Sequence, residues 1–99
     1  MKKRSSVTPE AAEQLAVQAL TFIAGDATQL GRFLALTGIG PAEIRDAARE
    51  PGFLAGVLDH VAGDERLVIA FAADAGIEPD QVAQARAALS GQGREREVP

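Results

Sequence analysis

His60 is the only histidine, and the chain contains no cysteine. A nucleophilic triad would need that imidazole between a hydroxyl and an orienting carboxylate. A zinc site would need two or three more ligands at recognisable spacing. Neither pattern surrounds His60. Paired acids could hold a cation or move protons, and Asp64-Glu65 is such a pair. Yet Asp26, Glu43, Asp46, Asp64, Glu65, Glu78 and Asp80 all fall in or near the first turns of expected helices. Carboxylates there favour the positive end of the helix dipole and cap free amides. Gly38-x-Gly40 has no preceding strand and no G-x-G-x-x-G or Walker spacing, so it is not a phosphate loop. No catalytic residue, cofactor site or metal site is expected, and the protein is read as a non-enzyme.

Two stretches have the spacing of a helix-turn-helix core. Ala72-x-x-x-Gly76-Ile77 is followed by Val82, and Leu34-x-x-x-Gly38-Ile39 by Ile44. The helices that follow should then offer cations or amides to phosphates and base edges. They offer Ala42, Glu43, Arg45 and Asp46 in one case, and Asp80, Gln81, Gln84 and Arg86 in the other. The formal net charge of -4 understates the problem: residues 8–90 hold five arginines against twelve carboxylates, a charge of -7. Such a body repels a phosphate backbone. Arg32, Arg45 and Arg49 could gather to receive an acidic partner, but solvated surface charge is the better account of them.

These residues must be carried by helices. Alanine dominates an apolar fraction of 46%, with four phenylalanines and no tyrosine or tryptophan, a composition that favours helix over strand. Thr8-Pro9-Glu10 reads as a helix start. Ala12, Leu15, Ala16, Ala19, Leu20 and Ile23 then recur on one face until Gly25. Asp26 caps a second helix with Leu30, Phe33, Leu34 and Leu36 inward, ending at Gly38. Pro41 opens a short third helix, with Ile44, Ala47 and Ala48 on one side. Pro51 opens a fourth, with a stripe from Phe53 to Val61. Asp64 caps a fifth, whose run Leu67–Ala73 is apolar nearly all round and is expected to lie at the centre. Pro79 opens a sixth, with Val82, Ala85 and Leu89 inward, which frays at Gly91.

Residues 22–48 and 60–86 repeat one phrase at an offset of 38 positions. Ala-Gly-Asp recurs at 24–26 and 62–64. Phe33 meets Phe71, Gly38-Ile39 meets Gly76-Ile77, Pro41 meets Pro79, and Ile44 meets Val82. Glycine closes a helix, the isoleucine folds back, and proline starts the next helix. The phrase encodes a helix-turn-helix corner. It is read either as an internal duplication giving two three-helix halves, or as convergence on shared capping residues. In this register His60 takes the place of Phe22, an apolar slot.

Phe33-Leu34-Ala35-Leu36-Thr37-Gly38-Ile39, then Pro41-x-x-Ile44-Arg45, then Phe53-Leu54-x-x-Val57-Leu58 resembles a family of small bacterial proteins. It is a domain of unknown function, number thirty-five seventy-two. The likeness spans roughly residues 12–89 and is most specific in the F-L-A-L-T-G segment and the G-I-x-P corner. It implies an all-helical domain of about this length and no assigned activity, so no site residues are carried over.

The expectation is therefore an all-α fold, a compact bundle of five or six short helices over residues 8–90. A disordered basic arm precedes it at 1–7, and a disordered polar tail follows at 91–99. Missing cysteines fit a reducing cytoplasm, no apolar run is long enough for a membrane span, and polar residues after Met-Lys-Lys-Arg exclude a secretory leader. The expected role is a protein–protein interaction module that binds another protein or itself. The proposed face is formed by Phe33, Leu36, Ile39, Ile44 and Arg45, with Val17, Phe22 and Leu36 as apolar residues that could lie outside the core. The alternative is a helix-turn-helix nucleic-acid binder.

Overall fold

The computed structural model of the chain describes residues 7–97. The arm expected at 1–7 and the tail at 91–99 therefore lie outside the described residues at positions 1–6 and 98–99. Six α-helices follow one another: α1 (Pro9–Ala24), α2 (Ala27–Thr37), α3 (Ile44–Ala47), α4 (Pro51–Ala62), α5 (Glu65–Ala75) and α6 (Pro79–Glu97). A 3-10 turn at Pro41–Glu43 leads into α3. No strand occurs among the described residues. The all-α reading holds.

The punctuation acts as the residue types dictate. Thr8 caps α1 by accepting the Ala11 N–H at 3.1 Å, with Pro9 at the first helical position. Asp26 Oδ1 accepts the amides of Thr28 and Gln29 at 2.9 and 3.2 Å. Asp64 Oδ1 does the same for Arg66 and Leu67 at 3.1 and 3.3 Å. Gly38 and Gly76 end α2 and α5 in the left-handed region, at φ 75° and 72°, where a Cβ is strained. Gly40 N–H donates to Glu43 Oε1 at 3.2 Å, and Glu78 N–H donates to Gln81 Oε1 at 3.1 Å. Each of these pairs is separated by the offset of the repeat.

α1, α4 and α6 make the most extensive contacts with one another, and α2 and α5 pack against them. Ala12, Ala16, Ala19, Leu20 and Ile23 of α1 meet Leu54, Val57, Leu58 and Val61 of α4, and Val82, Ala85 and Leu89 of α6, in one core. Alanines on α1 let its backbone come close to the larger side chains opposite, which close packing then fills.

Three expectations need correction. The fifth helix is not central. Leu67, Phe71 and Ala72 are buried, but Ile69 is 55% exposed and Ala70 and Ala73 face outward. The domain measures 41 × 34 × 19 Å, and 19 Å accommodates two layers of helices about 10 Å across. No helix can be enclosed on every side. Secondly, α6 does not end at Gly91 but stays helical to Glu97. A glycine inside a helix costs about 1 kcal/mol relative to alanine, which weakens the helix without stopping it, and no proline follows until Pro99. Thirdly, Leu36, read both as an inward residue of α2 and as one that could lie outside the core, is 73% exposed.

The repeat is structural as well as verbal. α2 and α5 have 11 residues each and start 38 positions apart. Phe22 packs on Phe71 with ring centroids 5.7 Å apart, and His60 packs on Phe33 at 5.2 Å. Position 22 corresponds to 60, and 33 to 71, so each half reaches into the other with equivalent residues. That crossing is the signature of an approximate twofold axis relating α1–α3 to α4–α6.

If the two aspartate caps are equivalent, Asp26→Ala and Asp64→Ala each lower stability by about 1 kcal/mol. Urea denaturation of the two variants should give closely matched midpoints below that of the parent.

Candidate functional site

The five residues of the expected face do not form one surface. Phe33 is fully buried, held edge-on by Phe53 at 5.8 Å and by His60 at 5.2 Å. Ile39 and Ile44 are half-buried, and Ile44 packs against the core. Arg45 is exposed, and Leu36 stands out at the end of α2. An apolar residue after a helix-closing glycine serves its own corner before it can serve a partner. Thr37 adds to that corner: its hydroxyl donates to Phe33 O at 2.9 Å and accepts the Ile39 N–H at 3.3 Å. The three arginines do not gather either. Arg32 and Arg49 line different hollows.

The surface instead opens between the second half of α1, α2 and α5. An open groove of about 980 Å³ runs there. Phe22, Leu67 and Phe71 form its floor, and Val17 and Ala70 its edges. Leu67 and Phe71 are almost fully buried, so the accessible apolar surface is that of half-buried Phe22, exposed Ala70 and Val17, which is 43% exposed. Asp26, Arg32, Asp64, Arg66 and Asp74 stand around the rim. The groove exists because small residues meet where these helices converge: Gly25 at the end of α1, and Ala70 and Ala75 on α5.

Its polar groups differ in what they are free to do. Asp26 and Asp64 are engaged in helix caps. Gln29 Oε1, on the α2 wall, is buried and accepts no hydrogen bond among the described residues. Such acceptors are rare in folded proteins. No group of three or more His, Asp or Glu side chains among the described residues could hold a metal ion.

His60 sits half-buried behind this wall. Burial, and then the Arg32 guanidinium, hold its imidazole below the usual histidine range, with Asp64 opposing them. It occupies the slot that Phe22 fills in the other half and acts as an aromatic ring there. Sequence reasoning found the floor residues but assigned most of them to the core. Val17 and Phe22, noted as apolar residues that could lie outside it, were the available signal.

The site thus defines a small helical domain with an open, mixed-polarity groove. The chain belongs to the family described as Protein of unknown function (DUF3572), whose family model matches residues 9–92. No match was found among curated proteins or among solved structures. No helix among the described residues is long and apolar enough to cross a membrane.

Two predictions follow from these placements. Phe33→Ala removes a buried ring and should cost about 3–5 kcal/mol, while Leu36→Ala should stay within about 0.5 kcal/mol, both read from denaturant midpoints. The second concerns pH. A histidine pKa lowered by folding leaves the folded state with fewer protons than the unfolded one. Its contribution is complete above about pH 6.5 and is lost as pH falls towards the folded value. His60→Phe should remove that component, so the stability difference between variant and parent widens in the variant's favour as pH falls below about 6.5.

Proposed function

We propose that this protein is a non-catalytic protein–protein interaction module of the cytoplasm and that a protein partner engages the groove between α1, α2 and α5. The single observation that carries the reading is the groove itself: Val17, Phe22 and Ala70 offer apolar surface above the buried Leu67 and Phe71, under a rim of both charge signs. Apolar centres with polar rims are the anatomy of protein interfaces. The groove is open along its length, which suits an amphipathic segment better than an enclosed small molecule.

The nucleic-acid alternative gains no support from the two corners. α3 has only four residues, too short to lie in a groove of a duplex. In the second corner Gln81 and Gln84 are half-buried, and Arg86 is paired with Asp59.

A photo-activated cross-linker at Gln18, on the groove edge, should capture a protein partner in cells. The same probe at Ala83, on an exposed face of α6 outside the groove, should not. Val17→Glu should reduce the Gln18 product at least roughly tenfold, as a charge placed in an apolar contact does. Equal capture at both positions, or none at Gln18, would overturn the reading.

A further inference from the structure

We propose that the partner of α5 is a second copy of this chain, docked antiparallel across a twofold axis centred near Ala70. The proposal rests on the interaction-module reading and gives that module an occupant.

α5 presents an unpartnered outer face. Arg66, Ile69, Ala70, Ala73 and Asp74 are all exposed, at helical spacings of three and four. Ile69, at 55% exposure, is one of three large apolar residues exposed among the described positions. Ala70 and Ala73 beside it are small enough to let a second helix approach closely. The apolar run Leu67–Ala73 exceeds what the domain can cover, because two layers leave one side of α5 bare.

The charges choose the occupant and its direction. Arg66 and Asp74 bracket this face, separated along the helix by ~12 Å. Two copies paired antiparallel about Ala70 bring Arg66 of each against Asp74 of the other, so the contact is satisfied twice. A parallel pairing would set arginine beside arginine and aspartate beside aspartate. Opposite charges at the two ends of one small-residue face are self-complementary, as an isologous interface requires. Ile69 of each copy then covers Ala73 of the other. Arg66, Ala70 and Asp74 also form the α5 edge of the groove. The second copy therefore lies along that edge, and the contact extends beyond a bare helix pair towards the area a stable dimer needs.

Sedimentation velocity on the full chain tests this. The parent should dimerise at high micromolar concentration. Arg66→Asp and Asp74→Arg should each weaken the dimer roughly tenfold or more, because each places like charges opposite one another twice. An equimolar mixture of the two variants should dimerise again, since the doubly acidic face of one meets the doubly basic face of the other. Loss of folding cannot produce that rescue. Ile69→Ser should weaken the dimer without any rescue by mixing. A parent that stays monomeric throughout, or a dimer indifferent to both charge reversals, would overturn the proposal. Capture of a different protein at Gln18 alongside a monomeric parent would sink this inference and leave the interaction-module reading standing.

Discussion

The crossed aromatic contacts tie α2 and α5 to the α1–α4–α6 core. Phe22 of the first half lies on Phe71 of the second, and His60 of the second lies on Phe33 of the first. α2 and α5 carry the receiving rings, so each is pinned to the opposite half by its most buried side chain. Ring pairs of this tilted and edge-on kind add to the energy of burial itself. Without them, two short helices capped by aspartate and closed by glycine would have little reason to stay docked, since helices of 11 residues are marginal alone.

The approximate twofold is broken in two places, and the surface follows from those breaks. In the first half the helix after the corner has four residues before the chain turns into α4. In the second half its counterpart runs on as α6 and covers both α1 and α4. Around Phe33 the ring cage is closed by Phe53 as well as His60. Around Phe71 the position corresponding to Phe53 is Leu15, and the remaining space opens as the groove. A leucine takes the place of a ring there, and Phe71 is nonetheless sealed at 1% exposure, with half-buried Phe22 between it and the groove.

Local grammar was legible in the sequence because it depends only on neighbouring residues. The caps at Thr8, Asp26 and Asp64 and the left-handed glycines at 38 and 76 stand where their types require. The core stripes of α1, α4 and α6 follow from helical spacing for the same reason. What depends on arrangement was not legible. Leu67–Ala73 promises burial on all sides, yet periodicity cannot count the layers that will surround a helix. Phe33 and Leu36 are both apolar and belong to one segment, but one is sealed in the core and the other is bare. Phe33 meets the rings of Phe53 and His60 on α4, a tertiary contact that helical spacing alone does not reveal. The groove is hardest of all to foresee, because it is defined by small residues on helices distant in sequence.

The charges of the groove differ from those at the helix ends. A body with a formal charge of -7 over residues 8–90 would seem to offer acidic groups everywhere. Four of its twelve carboxylates are already engaged. Asp26 and Asp64 bind the amides of α2 and α5, Glu43 binds the Gly40 N–H, and Asp59 is paired with Arg86. Carboxylates that close helix ends are held in place by the fold and serve its boundaries. Arg32, Arg66 and Asp74 make no side-chain hydrogen bond or ion pair among the described residues, and all three line the groove. These three charges stand beside the exposed residues Ile69, Ala70 and Ala73 of α5. Apolar contact there can supply affinity, while fixed opposite charges discriminate between partners and set their direction.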